Sequence, residues 1–181
     1  MKKFIVLLLA MVMILSSFAG CGSGDDGAAG GNTGGSVEGT PAEIIDMIYA
    51  EFPVADLPLG TIEIDLADPD AVKMFTGLDS TDKIDSAAAS ESMMGAQAYS
   101  LVVVKVKDAA DAETVAKEMM NGIDQRKWIC VEADDLRVAA AGDTAVLMMV
   151  SSEHADVVTA ADITDAFGAV AGGLALNEAK Q

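Results

Sequence analysis

Basic residues are scarce in this 181-residue chain. Eleven Lys and Arg stand against 29 Asp and Glu, giving a net charge of −18, and there is one histidine. Each contact to nucleic-acid phosphate, and each to an anionic headgroup, needs a Lys or Arg. The charge balance therefore excludes nucleic-acid binding and direct docking on an anionic lipid surface. Motifs that name a reaction are missing as well: there is no phosphate-binding Walker loop, no GxSxG, no HExxH and no CxxC. The expectation is a non-enzyme, with no catalytic residue, no metal ligand and no cofactor. Cysteine is nearly absent, with only Cys21 and Cys130 present.

Long hydrophobic runs are missing too. The longest, Phe4 to Phe18, falls short of the roughly 20 apolar residues that span a membrane. It is followed by Gly and Asp rather than by a basic stop-transfer flank. This argues against a retained transmembrane helix. With Lys2 and Lys3 before it and Ala19-Gly20 after it, the run has the layout of a secretory signal. The stretch Phe18-Ala19-Gly20-Cys21 resembles the lipobox of bacterial lipoproteins, with Phe where Leu is usual. The resemblance implies that residues 1–20 are a removable lipoprotein signal peptide. It also implies that Cys21 becomes a diacylglyceryl-modified N-terminus, held at the outer, extracytoplasmic face of the cell membrane. Two acyl chains suffice for stable attachment. Cleavage would leave 9 basic against 29 acidic residues, a charge of about −20. With Cys21 lipidated, Cys130 is the only remaining thiol, so no intramolecular disulfide can form.

Residues 21–40 hold the lipidated Cys and a Gly-rich tether with too little apolar surface to offset the entropy of ordering. Such a coil reaches roughly 25 Å. Residues 41–181 are enough for a single domain with its own core. Thr40, Pro41 and Glu43 form a helix start, and Ile44, Ile45, Ile48 and Phe52 give that helix an apolar stripe. Thr61 to Leu66 alternates as a half-buried strand with Ile62, Ile64 and Leu66 inward. Asp68-Pro69 opens a short helix to about Leu78. Residues 79–94 are small, polar and ambiguous. Ala98 to Lys107 is apolar on both faces and reads as a central strand. Asp108 to Lys127 is an amphipathic helix with an i,i+4 pair of Glu113 and Lys117. Leu136–Ala141 and Thr144–Ser151 flank Gly142-Asp143, a type II′ hairpin signal. Thr159 with Asp162 starts a last helix that Gly172-Gly173 ends. The pattern predicts an α+β fold: a two-layer sandwich with a roughly four-stranded, largely antiparallel sheet and helices packed on it.

The strand from Ala98, the Lys107-Asp108 turn, the helix from Asp111 and the hairpin Leu136–Val150 together resemble the bacterial lipoprotein family known as domain of unknown function 4358. The similarity runs from Ala96 to Ser152, with Thr144-Ala145 standing where the family usually has an aromatic. It implies a Gram-positive-type cell-surface lipoprotein and carries over no catalytic residue.

Several residue groups invite chemistry. Cys130 and His154 could pair as nucleophile and base, but nothing in the sequence brings them together, and Cys130 between Ile129 and Val131 reads as a buried, inert thiol. The pairs Met93-Met94, Met119-Met120 and Met148-Met149 could bind a soft metal, although Met119, Met148 and Met149 fall on expected core positions. Asp65, Asp68 and Asp70, like Asp79, Asp82 and Asp85, lack the loop pattern of a calcium site, and Asp68 suits a helix cap. Gly168 and Gly172 spell GxxxG and suggest close helix packing. The expected role is a membrane-anchored binding or interaction module with an envelope protein partner. The alternative is an envelope enzyme or metal-handling accessory using Cys130 or the Asp clusters.

Overall fold

A computed structural model of the protein describes residues 35–181. The expected signal peptide (1–20), the lipidation site Cys21 and residues 22–34 of the tether lie outside the described residues. The elements run α1 (Pro41–Glu51), β1 (Leu59–Glu63), α2 (Pro69–Thr76), β2 (Ile84–Ser92), β3 (Tyr99–Val106), α3 (Ala112–Gly122), β4 (Asp135–Ala141), β5 (Thr144–Val150), α4 (Ala160–Ala171) and β6 (Leu176–Ala179). The strands form one sheet in the order β1-β2-β3-β5-β4-β6, and every neighbouring pair is antiparallel.

The α+β class and the antiparallel sheet are as the sequence predicts, but the sheet has six strands rather than four. The two added strands carry weak local signals. β2 (IDSAAASES) is small and polar, and becomes a strand because it is held between β1 and β3. β6 has only four residues and forms by pairing with β4. The two-layer arrangement is also corrected, because helices cover both faces. Along β3, Tyr99, Leu101 and Val103 face a core shared with α1 and α4, while Val102, Val104 and Val106 face a second core shared with α2 and α3. A strand that is apolar on both faces needs cover on both. All seven residues of β5 are buried for the same reason.

Local chemistry sets most boundaries. Thr40 and Glu43 form the capping box of α1, and Thr159 and Asp162 form that of α4. Asp68 caps α2 by accepting from Asp70 and Ala71 amides at 3.0 and 3.2 Å. Gly142 in the β4–β5 hairpin has φ 54° while Asp143 keeps a negative φ, the combination of a type II′ rather than a type I′ turn. α3 ends at Gly122, not at Lys127. Gly77, at φ 78°, and Gly122 meet so closely that a Cβ on Gly77 would lie 2.4 Å from the Ile123 nitrogen. This contact joins the C-terminal ends of α2 and α3.

Lys117 pairs across the fold with Glu178 at 3.4 Å rather than with Glu113. Ile62, expected inward, is 44% exposed, because β1 is an edge strand. The end of the expected tether lies against the domain. Val37 is 4% exposed, and the Lys105 ammonium donates to its carbonyl at 2.7 Å and to Asp143 at 2.6 Å. No helix among the described residues is long and apolar enough to cross a membrane.

Candidate functional site

The charge of the chain is unevenly placed. From Glu38 to Asp70 there are nine Asp and Glu and no Lys, Arg or His, and all nine acids are exposed. Among the described residues none of the nine makes an ion pair; the ion pairs begin at Lys73. This stretch comprises α1, β1 and the start of α2, and α1 lies against β1, β2 and β3. The uncompensated carboxylates therefore lie on α1, on β1 and on the chain flanking each. One of them, Glu43, is held below the usual carboxylate range by hydrogen bonds from the Thr40 amide and hydroxyl.

The register identifies which β1 backbone groups are free. The Ile64 amide donates to the Ala87 carbonyl, and the Met93 amide donates to the Pro58 carbonyl. With Ile62 opposite Ala89 and Gly60 opposite Glu91, the even-numbered residues of β1 bond to β2. The amides and carbonyls of Leu59, Thr61 and Glu63 point outward, and among the described residues β2 is the only strand paired with β1. At the Glu63 end lies a hollow of about 230 Å³. It is lined by Thr40, Pro41 and Ala42 at the start of α1, by Glu63, Ile64 and Leu66, and by residues 85–88 of β2, so that apolar residues and the acids Glu63 and Asp85 share it.

A second polar centre is buried on the α2/α3 face. Lys127 is 9% and Glu91 22% exposed at the side chain. The Lys127 ammonium donates to the Glu91 carboxylate and, at 3.3 Å, to the Ser100 hydroxyl, which itself donates to Glu91 at 2.8 Å. The rings of Phe75 and Trp128 each lie 5.2 Å from the ammonium. Burial pulls Lys127 below the usual lysine range, against the opposing pull of Glu91. Ser100 is fully buried, so the arrangement gives no substrate access to its hydroxyl. On the opposite face the Tyr49 hydroxyl donates to Ser90 at 2.8 Å and lies 3.1 Å from the Tyr99 hydroxyl. Burial pushes both phenols above their usual range. Neither centre was apparent from sequence, because Glu91 on β2, Ser100 on β3 and Lys127 in the connection after α3 meet only in the fold.

Cys130 is exposed, not buried, and takes φ 66° in the connection between α3 and β4. Its apolar neighbour Ile129 does not bury it, being itself exposed. Cys130 lines an open cleft of about 430 Å³ with Glu132, Asp134, Ser151, Ser152 and Glu153. Asp134 accepts from the Ser152 amide and hydroxyl, both at 2.6 Å, and these bonds lower its pKa. His154 is not among the residues lining that cleft. Met119, Met148 and Met149 are in the core, whereas Met93 and Met94 are exposed. Asp65 accepts from the Ala67 amide, Asp68 caps α2, and Asp79 pairs with Lys73 at 2.7 Å. Among the described residues no three His, Cys, Asp or Glu converge as a metal would require. Gly168 faces the Leu174 side chain and Gly172 closes α4, so the GxxxG pair serves the end of its own helix.

Residues 64–128 match the family model described as Domain of unknown function (DUF4358). The resemblance to that family is shown over this segment, which spans α2, β2, β3 and α3 and includes Glu91, Ser100 and Lys127. The hairpin of β4 and β5 lies beyond it. No curated protein and no solved structure matches the chain.

Proposed function

We propose that the protein is a lipid-anchored interaction module, held by Cys21 at the outer face of the membrane, which binds a positively charged partner and performs no reaction of its own. The observation that carries this reading is the exposed run of nine carboxylates from Glu38 to Asp70, none of them ion-paired among the described residues. Clustered like charges raise the local concentration of oppositely charged partners and speed their capture. The leader supports the anchor: Lys2-Lys3, the apolar run and Phe18-Ala19-Gly20-Cys21 together suit lipidation.

The test is fractionation and crosslinking in the producing bacterium. The intact chain is expected in the membrane and in the detergent phase of a two-phase partition. Cys21→Ala is expected in the aqueous phase. Crosslinking of the anchored chain is expected to capture an envelope protein, and capture is expected to weaken as ionic strength rises. An intact chain in the aqueous phase, or no crosslinked partner at low salt, would overturn the reading.

A further inference from the structure

The open edge of β1 has the geometry of a strand-addition site. Leu59, Thr61 and Glu63 present alternate amides and carbonyls away from β2, and these are the groups to which an added strand would bond. Such edges are usually guarded against self-association by charge. Here the guard has one sign. Glu63 lies on the strand, Asp65 and Asp68 follow it, and Asp46 and Glu51 lie on α1, which packs beside it. A second copy would bring the same acids against themselves, so this chain is the wrong occupant. A strand carrying Lys or Arg is the complementary one. The hollow at the Glu63 end fits such a residue. Its apolar walls from Ile64, Leu66 and Ala87 suit an aliphatic stem, and Glu63 and Asp85 suit the charged head.

We infer that β1 receives an extended basic segment of a partner protein as a seventh strand, with backbone bonds to Leu59, Thr61 and Glu63 and a Lys or Arg in the hollow beside Glu63. This rests on the interaction-module reading and names its partner and mode. Alternate side chains of the added strand would contact the α1 face and the face carrying the exposed Ile62.

The test uses the full-length chain in detergent and a synthetic peptide of about eight residues alternating Lys with Val, a length typical of a strand. Hydrogen exchange is followed at individual amides. On peptide addition the Leu59, Thr61 and Glu63 amides are expected to become protected, while Gly60 and Ile62, already in the β1–β2 ladder, stay as they were. A counterpart with Glu for Lys is expected to bind at least about tenfold more weakly, and binding of the Lys peptide is expected to fall with salt. Thr61→Pro removes an outward donor without touching the ladder and is tolerated on an edge strand. It is expected to weaken binding about five- to tenfold. Glu63→Gln with Asp65→Asn keeps the backbone intact and is expected to weaken binding several-fold. Protection absent at Leu59, Thr61 and Glu63, or equal binding of the Lys and Glu peptides, would overturn the inference. If the anchored chain still crosslinks a partner while β1 stays unprotected, strand addition fails and the interaction-module reading stands.

Discussion

Removing the Glu91 carboxylate strands the Lys127 ammonium in the α2/α3 face. Breaking a buried ion pair from one side costs about 3–5 kcal/mol, because the remaining charge keeps its desolvation penalty and loses its partner. In Glu91→Ala, Lys127 keeps the Ser100 hydroxyl at 3.3 Å and the two rings at 5.2 Å, which offset part of this. The side chain can also neutralise. From an ordinary value near 10.4, releasing the proton at pH 7 costs about 4.6 kcal/mol, at about 1.36 kcal/mol per pH unit, which sets a ceiling. The expected loss at pH 7 is therefore about 3 kcal/mol, read from urea denaturation of both proteins. The sign with pH follows from the same group. Lys127 is already depressed in the folded state, so the unfolded chain binds more protons and stability rises with pH up to about 10.4. Without Glu91 the folded value drops further and that window opens at lower pH. The deficit of the variant should shrink between pH 7 and 10. Glu91→Ala with Lys127→Met removes both charges and should recover to within about 1–2 kcal/mol of the parent. A single-variant loss below about 1 kcal/mol, a deficit that grows with pH, or a double variant no better than Glu91→Ala would refute the reasoning.

Two further outcomes are expected. Gly77→Ala should cost about 2–5 kcal/mol, combining the left-handed backbone with overlap onto Gly122 and Ile123, whereas Gly172→Ala, at φ 73° in open space, should cost about 1 kcal/mol; equal thermal shifts for the two would contradict the close approach of α2 and α3. Cys130 should react with a maleimide in the native protein nearly as fast as in urea, and a thiol protected until unfolding would contradict its exposed position after α3.

Much of the fold is legible locally. The capping boxes at Thr40 and Thr159, the Asp68-Pro69 start, the β4–β5 hairpin and the apolar run of β3 are decided within a few residues of themselves. Their backbone bonds and caps close inside one segment, so the chemistry of that segment is sufficient. The acid excess and the lack of catalytic motifs are likewise read from the sequence alone.

Other features depended on neighbours distant in the chain. β2 is a strand because β1 and β3 bond to its two edges, although its Ala and Ser residues carry little strand preference of their own. The third layer follows from burying both faces of β3 and β5, a demand visible in the apolar run, while which helix covers which face is set by packing. Ile62 alternates like a core residue and is left exposed because β1 is at the edge. Cys130 has apolar neighbours in sequence and still faces solvent, as Ile129 beside it does, because the connection after α3 lies at the surface. Lys127, Glu91 and Ser100 come from the α3–β4 connection, β2 and β3. Sequence alone determined the elements whose bonds close locally, and the one-signed charge. Tertiary structure decided the strand order, the two cores, the buried Lys127 centre and the free edge of β1, because each depends on contacts between residues far apart in the chain.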